Sequence, residues 1–387
     1  MRYFLSSEAI LKWLETPCVY HIRNDELYEL DMDSFEFLKK CSKSGCSSQD
    51  SNFIDFCFKE GILTKDNVSV RRPPLIKSPE PSLRYLELQI TNKCNLRCRH
   101  CYIDNGGTDE LSVKQIKETL KEFEQMQGLR VLITGGEPLL HSRFEEVNEI
   151  LPKFSVHKVL FTNGLLLSRE RLRRLNIEEI QVSIDGLEHA HDLLRGKGTF
   201  KNAMKAIKLT IDYGFHVSIA TMVHKGNLKD FDEMERLFKE IGIKEWTVDV
   251  PCITGRLREN RDFQISPENG GRYLRYGYGG GLHASSSGFA CGLHLMAVMA
   301  DGKAAKCTFY SDEPAGRIEE GLRTCWQRIR HIRLDELKCK CDYIESCRGG
   351  CRYRAYLLGD PLGKDPYRCA LYGNIKNRTT GHEVLYP

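Results

Sequence analysis

Apolar residues recur along this chain in two alternating periods. Short runs with an apolar residue at every second position, or apolar throughout, read as strands: Leu86–Ile90, Val131–Thr134, Lys158–Thr162, Ile180–Ile184, Val217–Thr221 and Trp246–Val250. Between them lie stretches with helical spacing, Lys114–Met126, Phe144–Leu151, Ala203–Tyr213 and Asp230–Ile241. Strands separated by helices of this length pair in parallel, because a parallel crossover needs about a dozen residues or more. About six such units cannot close an eight-stranded barrel, so the pattern predicts an α/β fold with an open, partial (βα)6 barrel over residues 83–288. Ligands in such architectures gather at the carboxyl ends of the strands.

The flanks differ. In residues 1–70, Val19–Ile22 and Leu27–Leu30 read as two strands joined by Arg23-Asn24-Asp25, followed by helical stretches at Ser34–Cys41 and Asn52–Lys59. Gly61 caps the second helix, and the whole suggests a winged-helix-like module. Residues 71–82 carry Pro73, Pro74, Pro79 and Pro81 and read as a semi-rigid linker. Residues 289–387 form a cysteine-rich block.

Charge narrows the field of partners. A formal net charge of +4, evenly spread, gives no reason to expect a nucleic acid. No apolar stretch reaches transmembrane length, and the polar turn after Leu5 gives no signal peptide, so a cytoplasmic protein without a membrane partner is expected. Sixteen cysteines in such a protein favour metal binding over disulfides. Nine of them lie after residue 251, and seven of those form one patterned block.

Directly behind the first barrel strand stand Cys94, Cys98 and Cys101, followed by Tyr102. Three thiolates are one short of the set that an iron–sulfur cube takes from protein, which leaves one iron for a small molecule. A zinc site or three free thiols are the alternatives; zinc usually recruits a fourth protein ligand. The stretch Cys94-Asn95-Leu96-Arg97-Cys98-Arg99-His100-Cys101-Tyr102 resembles the signature loop of the radical S-adenosylmethionine (radical SAM) enzymes. The resemblance implies a 4Fe–4S cluster whose open iron binds SAM, and reductive cleavage of SAM to a 5′-deoxyadenosyl radical. It also implies SAM contacts at Gly135, Gly136, Glu137 and Pro138 after the second strand, with Glu137 toward the methionyl amino group. Asn163 stands after the third strand, Ser183 and Asp185 after the fourth match a ribose-contacting stretch, and Arg195 matches a position that grips the SAM carboxylate. Gly255-Arg256 is similar to a further SAM-contacting element. Asp249 and Cys252, at the end of the sixth strand, are candidates for a base or a site thiol, a structural carboxylate being the alternative for Asp249.

The C-terminal block, Cys291-x10-Gly302-x4-Cys307 followed by Cys339-x-Cys341-x5-Cys347-x3-Cys351 and Cys369, resembles a SPASM domain. That resemblance implies two auxiliary 4Fe–4S clusters, a distal one on Cys339, Cys341, Cys347 and Cys369, and a nearer one on Cys291, Cys307 and Cys351. A zinc knuckle is the alternative. The nearer set is one thiolate short, which points to an open iron there, with Cys252 as the one upstream candidate ligand. Cys339-x-Cys341 departs from the family, which usually has two intervening residues. The remaining cysteines, Cys18, Cys41, Cys46, Cys57 and Cys325, read as buried or incidental thiols.

The N-terminal module resembles the leader-binding domains of ribosomal-peptide maturases, which take a precursor's leader as an added strand; a cap on the barrel is the alternative. Thr308 stands where anaerobic sulfatase maturases carry an acidic base, which weakens that reading. The expectation is therefore a maturase that installs a thioether or carbon–carbon crosslink in a precursor peptide, reduced by a flavodoxin or ferredoxin. Action on a small molecule such as a tetrapyrrole in haem synthesis, and a non-catalytic electron carrier or redox sensor, are the rivals.

Overall fold

The computed structural model describes residues 2–47, 50–68, 70–103, 107–279 and 288–373. Its centre is a nine-stranded sheet in the order β11-β10-β9-β8-β7-β6-β12-β13-β14. The six strands of the sequence pattern are β6 (Tyr85–Thr91), β7 (Arg130–Gly135), β8 (His157–Thr162), β9 (Glu179–Ser183), β10 (His216–Met222) and β11 (Glu245–Asp249). Each pairs in parallel with the next, so all six carboxyl ends open on one face. The helices between them, including Val113–Gln125, Thr199–Asp212 and Phe231–Glu240, bury one apolar stripe each against the sheet in a single large core.

Two features were absent from the sequence pattern. Glu188–Arg195 is a helix ended by Gly196, whose φ of 124° only glycine adopts without strain. The sheet also continues past residue 288, because β12 (Leu295–Val298) pairs in parallel with β6 and carries β13 (Lys303–Ala305) and β14 (Gly316–Arg317). The cysteine-rich segment is thus stitched into the barrel sheet, and β12 places Cys307 near the barrel mouth.

The N-terminal module has three antiparallel strands rather than two: β2 (Ala9–Trp13), β3 (Pro17–His21) and β4 (Glu26–Glu29). A short ladder of β1 (Phe4–Leu5) with β5 (Leu63–Thr64) and helices Met32–Cys41 and Ser51–Lys59 complete it. β2 escaped detection because four of its five residues are buried and Lys12 breaks the apolar alternation. Lys12 is buried and donates to Gly128 O at 2.7 Å and Ser155 O at 3.4 Å, both on the barrel's amino-terminal end. Burial pulls its pKa from the ordinary 10.5 to about 8. Arg130 pairs with Asp25, His157 Nδ1 meets Ile22 O at 2.7 Å, and Leu129 joins an apolar cluster with Ile10, Leu14, Cys18 and Tyr20. The module therefore seals the end of the barrel opposite the strand carboxyl ends.

Candidate active site

The loop after β6 is held by backbone contacts that leave no room for side chains. A Cβ on Gly136 would stand 2.5 Å from Lys93 O and 2.6 Å from Asn92 O, and one on Gly135 2.5 Å from Thr91 O. The two glycines thus admit the cysteine loop against the end of β7. Glu137 N donates to Lys93 O at 2.8 Å, Asn163 Nδ2 to Asn95 Oδ1 at 2.7 Å, and Arg99 N to Leu194 O at 2.9 Å. On the other side Gly255, at φ 53°, lies so close that a Cβ would meet Cys101 O at 2.4 Å, and Arg256 N donates to the same oxygen at 3.0 Å.

Cys94, Cys98 and Cys101 line a cavity of about 300 Å³ together with Gly135, Gly136, Asn163, Ser183, Asp185, Arg195 and Cys252. Strand-end residues separated by up to 158 positions in sequence thus converge on one space. A second opening of about 570 Å³, lined by Asn92–Arg97, Cys101 and Arg256, lies against the same loop.

Asp185 is fully buried, and its carboxylate is already engaged. Arg195 Nε donates to Oδ2 at 2.5 Å, Met222 N donates to Oδ1 at 2.7 Å, and His100 Nε2 lies 3.7 Å from Oδ2. Its backbone is held by His191, His224 and Asn227. Burial raises the cost of its charge, but Arg195 more than offsets this and holds the carboxyl well below the usual range. Burial keeps His100 and His191 neutral, down to about 3 and about 4. Asp185 thereby fixes Arg195, whose Nη1 sits 3.9 Å from Cys98 Sγ.

Glu137 is likewise turned inward. It accepts from Thr162 Oγ1 at 2.9 Å, Asn163 N at 2.9 Å and Leu139 N at 3.3 Å, tying the ends of β7 and β8 together. Burial lifts its pKa from the ordinary 4.5 to about 7. A carboxyl with a raised folded-state pKa binds extra protons in the native state, so stability falls as pH rises from about 4.5 to about 7. For the apoprotein, Glu137→Gln should remove a decline of about 3 kcal/mol over that window. Urea midpoints of both proteins at pH 5 and pH 8 measure it.

Asp249 does not line the cavity; it accepts from Arg354 Nη1 at 3.0 Å and from its neighbour Val250 N at 2.8 Å. A second carboxylate that lines the cavity, besides Asp185, is Glu87, within β6, which accepts from Thr308 N at 3.0 Å. Burial raises its pKa. The available signal was a charged residue inside a strand with neighbours on both edges. Tyr102 also reaches this corner, its ring 5.3 Å from that of Phe309.

The C-terminal cysteines fall into two neighbourhoods. Cys307 is influenced electrostatically by Cys291 and Cys351, and Cys252 by Cys351. Cys369 is influenced by Cys347 and Cys339. Cys341 is half-buried, two residues beyond Cys339.

Three observations bear on whether the first site suits a cluster with a charged ligand. Three thiols face one cavity, beside the guanidinium of Arg195. Among the described residues Arg256 Nε and Nη1 and His100 Nδ1 are buried with no protein partner. Among the described residues no three His, Cys, Asp or Glu side chains are gathered tightly enough to hold a single metal ion. Zinc would draw its thiolates to about 2.3 Å, whereas a multi-atom cluster needs wider spacing. The residues fit an iron–sulfur cluster with an anionic ligand.

Comparison with known proteins agrees. The radical SAM superfamily profile matches residues 88–238. The chain carries a radical SAM domain. It is accordingly an enzyme of the radical SAM type, with SAM and the family's iron–sulfur cluster as cofactors. It is 28% identical over 319 residues to mycofactocin maturase MftC of Mycolicibacterium smegmatis, covering 73% of this chain and 81% of that one. It is 24% identical over 346 residues to the AdoMet-dependent heme synthase of Nitratidesulfovibrio vulgaris, covering 76% and 94%. The fold is similar to Streptococcus suis SuiB bound to precursor peptide SuiA, with a TM-score of 0.67 at 16% identity over 94% of this chain and 98% of that one. It is also similar to anSMEcpe with bound AdoMet, with a TM-score of 0.59 at 20% identity over 75% and 95%. No helix among the described residues is long and apolar enough to cross a membrane.

Proposed function

We propose that this radical SAM enzyme is a peptide maturase that installs a thioether or carbon–carbon crosslink in a ribosomally made precursor. The observation that carries this reading is the extent of the likeness to SuiB. It runs over 94% of the chain, against 75% for anSMEcpe, and SuiB is a structure bound to a precursor peptide. When bound and reduced, SAM on the first cluster supplies a 5′-deoxyadenosyl radical. The remaining work falls to the chain. Cys94, Cys98 and Cys101 hold the cluster, Arg195 and Arg256 face the ligand's negative charge, and Gly135, Gly136, Asn163 and Ser183 shape its seat. The C-terminal thiols would hold two auxiliary clusters, which accept the electron released when the crosslink closes, and a flavodoxin or ferredoxin would supply reductant.

Glu87 is the proposed proton acceptor at the substrate carbon. It occupies, from the barrel side, the place beside Thr308 that an acidic residue would fill in sequence. Glu87→Gln should leave SAM cleavage near wild type and lower crosslinked product by about 100-fold or more. Product per deoxyadenosine, followed by mass spectrometry, reads the split.

The leader's place is less a free strand edge than a cleft at the sealed end of the barrel. This cleft, about 1070 Å³, is lined by Lys117, Lys121, Lys153, Arg71 and Arg23 over a floor including Ile22, Phe154 and Phe215. β4, the open edge of the small sheet, carries Glu26 and Glu29 and suits an acidic strand poorly. Reversing Lys117 and Lys121 to Glu should weaken an acidic leader peptide by about tenfold at low salt and less at high salt. Equal affinities in a fluorescence-anisotropy titration would remove the cleft from the account. Deleting residues 1–70 is a poor test, because it would uncover Leu129 and leave the partners of Lys12 and Asp25 bare.

The similarity to heme synthases favours a second reading, oxidation of a tetrapyrrole side chain. Turnover of a tetrapyrrole with no change in any precursor peptide would select it.

A further inference from the structure

The segment that leaves β11 divides two spaces. Cys252 lines the cavity of the cysteine loop, Ile253 lines a separate cavity of about 350 Å³, and Pro251 lines both. We propose that this separate cavity is a substrate subsite, which takes a bulky apolar side chain of the peptide whose acidic neighbour pairs with Arg258. This rests on the peptide reading above.

The cavity has a rigid back. Tyr367 is buried, and its hydroxyl donates to Ile265 O at 2.7 Å, so its ring is left to form an apolar wall. Arg354 lies over that ring at 5.8 Å, with every guanidinium nitrogen engaged. Its Nη1 donates to Val250 O at 2.9 Å and Asp249 Oδ1 at 3.0 Å, and Nε and Nη2 donate to Asp365 Oδ2 at 3.1 and 2.9 Å. Arg354 therefore builds the wall and has no donor nitrogen to spare for a ligand.

The mouth is different. Leu357 and Leu358 line it, yet neither belongs to any apolar cluster of the described residues, and Leu358 is 42% exposed. Adjacent leucines left uncovered beside a preformed hollow mark a place for another molecule's hydrocarbon. Arg258, at the end of the turn Gly255–Arg258, is exposed on the same cavity, and no carboxylate among the described residues pairs with it. An apolar hollow with such a cation at its rim complements an apolar side chain beside a carboxylate. Position supplies the link to the chemistry. A peptide lying across Pro251 sets one residue in the cavity of the cysteine loop and another in the hollow.

The test uses reconstituted holoenzyme with SAM, as wild type, Leu358→Glu and Arg258→Glu. Both changes lie at exposed positions, so deoxyadenosine formed without peptide should keep the wild-type rate. The probes are the blocked dipeptides acetyl-Leu-Glu-amide, acetyl-Ala-Glu-amide and acetyl-Leu-Lys-amide, titrated by calorimetry at low salt. Wild type should bind the Leu-Glu probe about tenfold more tightly than the Ala-Glu probe, through burial of the larger side chain. It should prefer Leu-Glu to Leu-Lys by about threefold, as an exposed ion pair allows. Leu358→Glu should erase the first preference and Arg258→Glu should invert the second. With the precursor peptide encoded beside the gene, Leu358→Glu should raise KM about tenfold and leave kcat within about twofold. Equal binding of the three probes, or a wild type that modifies its peptide while both variants match it, would overturn the subsite alone. Tighter probe binding by a chain shortened after Gly373 would give the hollow to the protein's own end and overturn it too. A wild type that leaves the precursor peptide unchanged would overturn the peptide reading and the subsite together.

Discussion

Replacing Cys94, Cys98 and Cys101 together with alanine should abolish reductive cleavage of SAM while leaving the protein folded. The loop they sit on is fixed by other groups: Asn163 to Asn95, Arg99 to Leu194, and Arg256 to the Cys101 carbonyl. Two of the three thiols add little packing, since Cys94 is exposed and Cys101 half-buried, and the buried Cys98 is replaced by the smaller alanine. Loss of the thiolates removes the three sulfur donors of this loop, so the first cluster has no anchor. Iron content should drop by about four per chain, and SAM should bind weakly, lacking the open iron. Circular dichroism and thermal unfolding of the apoprotein should match wild type closely. Deoxyadenosine formed at the wild-type rate by this variant would refute the assignment of the site.

The second large effect is expected at Asp185. Asp185→Ala leaves the Arg195 guanidinium buried, 11% exposed at its side chain, without its counter-charge. Breaking a buried pair from one side costs about 3–5 kcal/mol, because the surviving charge stays desolvated. SAM affinity should fall as well, since Arg195 loses the contact that aims it past Cys98. Asp185→Ala with Arg195→Met should recover much of the stability but none of the SAM binding, which separates the two roles. The sign of the pH dependence follows from the depressed carboxyl pKa. The contribution is complete above the unfolded value of about 4 and is lost as pH falls through the folded one. The stability gap between wild type and the double variant should therefore begin to narrow below about pH 4, as chemical denaturation at pH 7 and pH 3 would show.

Much of the barrel was legible because its strands and helices carry different periods. All six strands lie within two residues of the ranges read from the alternation, since parallel strands buried on both faces leave uninterrupted apolar runs. β2 was illegible because it buries a lysine, and a lysine satisfied by two distant carbonyls has no local signature. β12 was illegible because its partner, β6, lies about two hundred residues earlier in the chain. The cysteine loop and the glycines were found at once, whereas the protein partners of the acidic residues near them have no local signature. Asp185 is held in the fold by Arg195 and Glu137 by Thr162, residues that stand apart from them in the chain. Glu87 was passed over because a single acidic residue in a strand usually marks its solvent face. Here both edges of β6 are paired, by β7 and β12, and that face lines a cavity.

The central claim is that the radical made at this site is spent on a peptide. The most direct measurement incubates reconstituted, reduced enzyme with SAM and a short precursor peptide encoded beside its gene, then reads the peptide's intact mass. Loss of two hydrogens, with deoxyadenosine formed in proportion, is the predicted result. Steady deoxyadenosine formation with the peptide mass unchanged, in the presence of a tetrapyrrole that is consumed, would contradict it.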